Sequence, residues 1–161
     1  PILVGDAPSR TGLNLQIPTL AEISRLANVA GIVDASGDMV RATAIRRACP
    51  NRTLVSGHDL SALGCIAHGA SGLVSLTANV APDIVVATCL AGLAGERATA
   101  ERLQRRLFDL QSVLTQEHSP AAAKWVLSRL GYCGPGVRLP IPAWPEEDEV
   151  LAVLMKTFGL S

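Results

Sequence analysis

A nine-residue stretch, AGIVDASGD at residues 30–38, decides how this chain folds. It opens with apolar, partly β-branched residues that favour a strand and passes into small residues that favour a turn. Ser36 or Asp38 then stands where a helix would be capped. The stretch predicts a strand over 29–35 followed by a helix over 37–49. A strand followed at once by a helix is the repeating unit of a parallel α/β fold.

The same order recurs along the first half of the chain. Near-continuous apolar runs predict strands that are covered on both faces; they lie at 2–5, 29–35, 53–57 and 72–77. The strand starts are roughly 20–28 residues apart, which is the pitch of parallel βα units. Helical spacing of apolar residues predicts the intervening helices, at 17–27, 37–49 and 58–69. A loop containing Pro8 and Gly12 follows the first strand.

The second half of the sequence is predicted to be helical, apart from an extended loop at 133–145. Helices are expected over residues 82–94, 95–116, 119–131 and 145–159, the last starting at Pro145 with acidic residues in its first turn. We therefore divide one structural domain into two parts. Residues 1–81 form four parallel βα units, and residues 82–161 form the last of the sheet's helices and a helical tail.

Composition excludes several functions. The formal net charge is zero, so no field attracts nucleic acid or an anionic membrane. The longest apolar stretch, residues 80–95, is too short to cross a membrane, and the first ten residues lack a signal-peptide pattern. Hydrophobic residues make up 48 % of the chain and charged residues 17 %, so either the core is large or an apolar surface faces a partner.

The cysteines predict a cytoplasmic protein with buried, reduced thiols. Cys49, Cys65, Cys89 and Cys133 show neither a disulfide framework nor zinc-ligand spacing. His68 and His118 are isolated, and two lone histidines make no metal site. We expect no metal.

Several loops match one enzyme family in order and spacing. The chain resembles the dihydrodipicolinate synthase / N-acetylneuraminate lyase family, and is closer to the dihydrodipicolinate synthases because of ASGD and TANVAP. The matching segments are APSRTG (7–12), GIVDASGD (31–38), LVSGHD (54–59), GASGLVSLTANVAP (69–82), SPAAAKW (119–125) and VRLP (137–140). The resemblance implies a (β/α)8 barrel with a helical carboxyl-terminal extension. It begins at the fifth strand, so we expect strands five to eight and the tail, and expect the chain to be the inside of a longer one.

The resemblance also implies a chemistry and shows what is missing from it. Enzymes of this family join or cleave 2-oxo acids such as pyruvate, without a cofactor, through a Schiff base on a lysine of the sixth strand. That position is Val33 here, and the family's relay tyrosine on the fifth strand corresponds to Gly5. The sequence has only two lysines, Lys124 and Lys156, and the first is in the tail. No catalytic residue of this mechanism is intact.

Three residues match positions that bind the substrate in the family. Arg10 matches an arginine that binds the substrate carboxylate; the alternative is a loop arginine held by an acid such as Asp6. Gly57 and Val74 match positions whose backbone lines the pyruvate pocket; the alternative is packing alone. The neighbouring Asp59 is predicted to cap the helix that it precedes.

Half a barrel leaves two open sheet edges and an apolar inner face, which predicts assembly. Two copies could close a ring, a complementary half-barrel could dock, or the first half could simply be missing from this sequence. Two functional interpretations stay open. The chain is either the carboxyl-terminal part of an aldolase-type lyase, or a non-catalytic relic that is structural or binds a small 2-oxo acid without converting it.

Overall fold

A three-stranded parallel sheet forms the centre of the first half. The computed structural model describes residues 1–116 and 120–160. The strands are β1 (Ile2–Asp6), β2 (Val29–Asp34) and β3 (Thr53–Ser56), and they lie side by side in chain order. Both pairings are parallel. Three of the four predicted strands are confirmed within a residue or two at each end.

Eight helices occur in the described part of the chain. They are α1 (Pro8–Thr11), α2 (Ile17–Ile23), α3 (Met39–Ala48), α4 (Ala62–Ala67), α5 (Pro82–Leu93), α6 (Arg97–Leu114), α7 (Ala121–Arg129) and α8 (Glu149–Thr157). The loop expected after β1 contains the short helix α1, which Pro8 starts and Gly12 ends. The helix predicted from Pro145 begins only at Glu149, because the Asp148 carboxylate caps it through the Leu151 amide.

The predicted fourth strand at 72–77 is wrong. Leu73 makes one isolated parallel bridge to Ser56, and the Val74 amide donates to the Ser56 carbonyl at 2.8 Å. The chain leaves the sheet at Leu76, which has helical backbone angles, and a 3-10 turn follows. The sheet therefore has three full strands and a short fourth segment.

A buried side-chain contact explains this early turn. The Asp59 carboxylate is 3 % exposed and accepts from the Thr77 amide at 3.0 Å and from the Thr77 hydroxyl at 2.8 Å. Asp59 therefore does not cap the helix that it precedes, contrary to the prediction. Its carboxylate satisfies the backbone of a segment 18 residues further along the chain, and this favours the turn over continued strand pairing.

Helices cover one face of the sheet. Ile32 and Leu54 are in register on β2 and β3, and their side chains pack with a cluster from the flanking helices, including Leu20, Ala42 and Ile45. Because side chains alternate along a strand, the residues on either side of Ile32 point to the opposite face. There Leu3 of β1 is 49 % exposed, so this inner face is open.

The tail packs into a second apolar cluster. Leu110 and Leu114 of α6 meet Val126 of α7 and Leu151 of α8, and each of the four is completely buried. Trp125 closes one side of this cluster, and its indole nitrogen donates to the Glu146 carbonyl at 3.1 Å. No helix in residues 1–116 or 120–160 is both long and apolar enough to cross a membrane.

One arginine ties the sheet to its helical layer. Arg41 of α3 donates to the Asp6 carboxylate at the end of β1 and, at 2.7 Å, to the Leu15 carbonyl. Its Nε lies 3.5 Å from a carboxylate oxygen of Asp34 at the end of β2. Asp6 and Asp34 have side chains only 1 % exposed, so both carboxylates depend on this arginine for their positive counter-charge.

The turn between β2 and α3 positions Arg41 next to the carboxylates of Asp6 and Asp34. The Asp34 carboxylate accepts from the amide and the hydroxyl of Ser36, both at 3.1 Å. Gly37 follows with a φ of +75°, which favours glycine. Asp38 then caps α3 by accepting from the amides of Val40 and Arg41, which confirms Asp38 as the cap.

Cysteine burial is only partly as expected. All four thiols are free; Cys49 and Cys65 are buried, Cys89 is half-buried and Cys133 is exposed. Burial raises the pKa of the Cys65 thiol, and the nearby Asp34 carboxylate raises it further against hydrogen bonds from Ser56 and Ser61. Burial also raises the pKa of Cys89. Cys65 and Cys89 are therefore held as neutral thiols at pH 7 more firmly than an exposed cysteine.

Removing the arginine should destabilise the fold strongly. In Arg41→Met the carboxylates of Asp6 and Asp34 stay buried without their cation, and we expect the free energy of unfolding to fall by about 3–5 kcal/mol. Urea denaturation followed by circular dichroism measures this. Arg97→Met removes an exposed arginine paired with Glu101 and is the control that should leave the midpoint almost unchanged. Equal effects of the two substitutions would contradict the role given to Arg41.

The thiols should react with a disulfide reagent at different rates. At pH 7 Cys133 should react with a disulfide reagent first, because it is exposed, whereas Cys65 should react only when the protein is unfolded. The absorbance of the thiolate that the reagent releases measures the rates. Cys133→Ser should remove the fast phase. Fast labelling of Cys65 in the folded protein would refute the burial that we describe.

Candidate functional site

The two positions that match the family's lysine and tyrosine are neighbours in the sheet. Gly5 of β1 is in register with Val33 of β2, and Val33 is in register with Val55 of β3. This row lies one residue before the carboxyl ends of the strands, on the face opposite Ile32 and Leu54. The carboxyl ends of parallel barrel strands carry the active sites of such folds, so this row is the candidate site.

Val33 contributes no reactive group to this site. Its side chain is half-buried and carries no group that can accept a proton or attack a carbonyl carbon. A Cβ atom placed at Gly57 would lie 3.1 Å from a Val33 methyl and 2.8 Å from the Ala35 Cβ. Gly57 is thus pressed against Val33, and only a residue without a side chain fits there. The predicted substrate-binding residue Gly57 therefore lies within contact range of Val33, which the resemblance matches to the family's lysine.

The space where the family's tyrosine would lie is open. Gly5 is exposed, and a Cβ atom built on it would meet no atom within 4 Å. The single tyrosine of the sequence, Tyr132, follows α7 in the tail and is 78 % exposed. Lys124 is also in the tail, on α7, where its ammonium group donates to the Gly136 carbonyl. The first half of the chain contains neither residue type.

The other predicted binding residues lie on segments that leave the sheet at the same end. Arg10 is exposed on α1, directly after β1. Val74 is 55 % exposed, and its backbone amide is occupied by the Ser56 carbonyl. The Asp6 carboxylate, which we considered as a holder of Arg10, is engaged by Arg41 and by the Leu15 amide at 3.4 Å. The roles of Arg10, Gly57 and Val74 in binding stay predictions.

A histidine, His58, follows β3 at this same end of the sheet. The His58 ring contacts the turn at Gly37, where a Cβ atom would lie 3.0 Å from its Nδ1, and Nδ1 is 2.7 Å from the Ser61 hydroxyl. Sequence reasoning missed this contact and the Arg41 cluster. Two carboxylates at neighbouring strand ends, Asp6 and Asp34, were the available signal that a cation must lie near them.

No cluster of three potential metal ligands occurs in the described residues. The Nδ1 of His68 lies 2.7 Å from the hydroxyl of Thr43, a residue of α3. This pair is not part of the row formed by Gly5, Val33 and Val55. His118, which we considered with it, lies outside the described residues. The row of Gly5, Val33 and Val55 itself offers only apolar side chains and backbone groups.

Comparison with known proteins identifies relatives over almost the whole chain. Residues 1–157 match the dihydrodipicolinate synthetase family. The 4-hydroxy-tetrahydrodipicolinate synthase of Phenylobacterium zucineum is 44 % identical over an alignment of 163 positions, which covers 99 % of this chain and 55 % of that protein. The enzyme of the same name from Hyphomonas neptunium is 42 % identical over 146 residues, or 89 % of this chain and 50 % of that protein. The chain spans about half the length of the curated relatives it matches.

Solved structures agree with the sequence relatives. The chloride-inhibited dihydrodipicolinate synthase from Acinetobacter baumannii, complexed with pyruvate, matches 100 % of this chain and 56 % of its own, at a TM-score of 0.90 and 30 % identity. The synthase from Thermotoga maritima matches 99 % of this chain and 56 % of its own, with the same TM-score and identity. The fold is thus an α/β unit that corresponds to about half of these barrel enzymes, and the chain belongs to the dihydrodipicolinate synthetase family.

Proposed function

We propose that this chain is a non-catalytic member of its family, which supplies a half-barrel and binds a small 2-oxo acid such as pyruvate without forming a Schiff base. The observation that carries the proposal is Val33, which is in register with Gly5 and Val55 on the inner face of the sheet. The row contains no amine and no hydroxyl. This description applies to the residues of this chain, whatever else the whole protein contains.

The missing lysine matters because nothing else supplies its chemistry. Schiff-base formation requires an uncharged amine that attacks the ketone carbon, and a desolvated lysine provides it because burial lowers the lysine pKa. A valine cannot be the nucleophile. A thiol cannot form an imine, and burial raises the pKa of the Cys65 thiol and keeps it protonated. The sequence offers only Lys124 and Lys156 as lysines, and both belong to tail helices.

Binding without reaction is supported by the residues that remain. Arg10 carries a guanidinium group, whose paired donors fit a carboxylate. Gly57 lets the backbone after β3 pack directly beside Val33, because no side chain fits there. The relative from Acinetobacter baumannii, described as complexed with pyruvate, supports pyruvate as the first ligand to test.

A second candidate is part of an active lyase. It is favoured by the 42–44 % identity to two curated synthases. In that case the reacting amine comes from a segment outside this sequence, and the half-barrel contributes only binding groups. The two candidates differ in whether an amine elsewhere in the whole protein forms a covalent bond to the 2-oxo acid.

Borohydride trapping on the whole protein distinguishes them, because an adduct mapped outside the residues of this sequence supports the second candidate. The folded protein is incubated with excess pyruvate and sodium borohydride, and its intact mass is measured. We expect no adduct, because Val33 cannot form the imine that borohydride reduces. An adduct mapped to Lys124 or Lys156 would contradict the proposal and would mean that the tail reaches the substrate in a different assembly.

Restoring the lysine provides a positive control for the site. Val33→Lys places an amine on the inner face beside Gly57, and we expect this variant to form a borohydride-trapped adduct. Val55→Lys is the matched variant, since Val55 is in register with Val33 on the next strand, and it should form at most about a tenth as much. If the two lysine variants are trapped equally, the row holds no pocket that favours position 33.

A further inference from the structure

A cavity in the helical tail is not part of the candidate site described above. It has a volume of about 530 Å³, which is within the range of cavities that hold small organic ligands. Its lining comes from α7 and the loop after that helix, and includes Trp125, Arg129, Cys133, Gly136, Trp144 and Glu146. Every lining residue lies between positions 125 and 146, so one stretch of the tail forms all sides of this cavity. We call it the tail cavity.

Side chains of α7 hold the loop in a shape that keeps the tail cavity open. Lys124 donates to the Gly136 carbonyl on one arm of the loop. Trp125 and Arg129 both donate to the Glu146 carbonyl on the other arm. A Cβ atom built on Gly136 would meet no atom within 4 Å, so no other part of the described chain presses on the loop there. Side-chain hydrogen bonds thus hold the two arms of the loop apart.

Both tryptophans of the sequence line the tail cavity. The indole N–H of Trp125 donates to the Glu146 carbonyl at 3.1 Å, and that of Trp144 donates to the Asp148 carboxylate at 3.0 Å. Because both N–H groups are engaged, the two indoles offer the cavity only the carbon surface of their rings. Aromatic surfaces of this kind bind another aromatic ring by stacking or edge-to-face contact.

Two residues of opposite charge, Arg129 and Glu146, also line the tail cavity. The guanidinium carbon of Arg129 lies 5.0 Å from the centre of the Trp125 ring. In the part of the chain that the structure describes, neither Arg129 nor Glu146 forms an ion pair. A guanidinium group binds a carboxylate, and a carboxylate binds an ammonium group. The lining therefore favours a ligand that carries both charges.

We propose that the tail cavity binds an amino acid with an aromatic side chain. The ring of the ligand packs against the two tryptophans, its carboxylate pairs with Arg129 and its ammonium group pairs with Glu146. Since Cys133 is exposed and lines the same cavity, the bound amino acid shields the Cys133 thiol. This inference uses no residue of the row at Val33 and is independent of the proposed function.

Thiol labelling tests this inference on the whole protein. The folded protein is treated with a disulfide reagent at increasing concentrations of L-phenylalanine, and the labelled peptides are identified by mass. We expect L-phenylalanine to slow the labelling of Cys133 in a saturable way. The labelling of Cys89 should not change, because Cys89 lies on α5 and does not line the tail cavity.

Two analogues test the charged contacts. 3-Phenylpropionate lacks the ammonium group of L-phenylalanine, and phenethylamine lacks its carboxylate. Each should protect Cys133 with a dissociation constant at least about tenfold higher, which corresponds to about 1.4 kcal/mol. Equal protection by all three compounds would contradict the pairing with Arg129 and Glu146.

Three variants locate the ligand. Arg129→Gln removes the positive charge and should raise the dissociation constant of L-phenylalanine by at least about tenfold. Ala143→Phe places a ring in the tail cavity at an exposed lining residue and should abolish the protection. Arg138→Gln is the matched control, because Arg138 is an exposed arginine of the same loop that does not line the cavity. It should leave the protection unchanged.

Circular dichroism reports whether each variant is folded. Labelling of Cys133 that L-phenylalanine does not slow in the folded wild-type protein would overturn the inference, and so would equal protection in Ala143→Phe. A Cys133 that stays unlabelled until the whole protein is unfolded would also overturn it, because the cavity would then be covered. Borohydride trapping with pyruvate does not involve the tail cavity, so each of these results leaves the proposed function standing.

Discussion

The Arg41 guanidinium, shared between Asp6 and Asp34, is the contact on which the arrangement of the first half depends. It joins the ends of β1 and β2 to α3, and it does so in an environment where both carboxylates are almost inaccessible to water. A buried carboxylate without a partner is costly, so the strands and the helix are held in one relative position. The short turn from Asp34 through Gly37 to Asp38 has the length and backbone angles that bring Arg41 there.

The contact of Arg41 with the two carboxylates lies on the face of the sheet that the helices cover. The described residues leave the opposite face uncovered. Ile32 and Leu54 are buried under the helices, whereas the row of Gly5, Val33 and Val55 faces away from them. In the family that this chain belongs to, the resemblance of the motifs places the reacting lysine at Val33. On the function that we propose, the chain keeps the backbone around this position without the reactive group. This supports a binding or scaffold role for the residues present.

The elements that sequence predicted well are those whose signals are local. The strand and helix around AGIVDASGD follow from β-branched residues, a glycine turn and the Asp38 cap, and the structure confirms each of them. The predicted strand at 72–77 failed because Asp59 binds Thr77, a contact between residues far apart in sequence. The start of α8 was misplaced because Pro145 and the acidic residues that follow it also fit a first helical turn, whereas Asp148 is the cap and the helix begins at Glu149.

At the candidate site, too, contacts between residues far apart in sequence could not be predicted. Val33 and Gly5 could be identified from the sequence because neighbouring motif residues fix their positions, and the sheet register then places them side by side. The partner of the Asp6 carboxylate could not be identified, since Arg41 is 35 residues away in sequence and reaches it only through the packing of α3. Sequence reasoning considered Asp6 only as a possible partner of Arg10.

The central claim, that the site holds a 2-oxo acid without bonding to it, is tested most directly by NMR of pyruvate labelled with carbon-13 at its ketone carbon. With the folded protein present, the account predicts that this carbon keeps its ketone signal. It also predicts that the signal broadens on binding and sharpens again in Arg10→Gln. An imine signal, or a ketone signal unchanged by the protein, would contradict it.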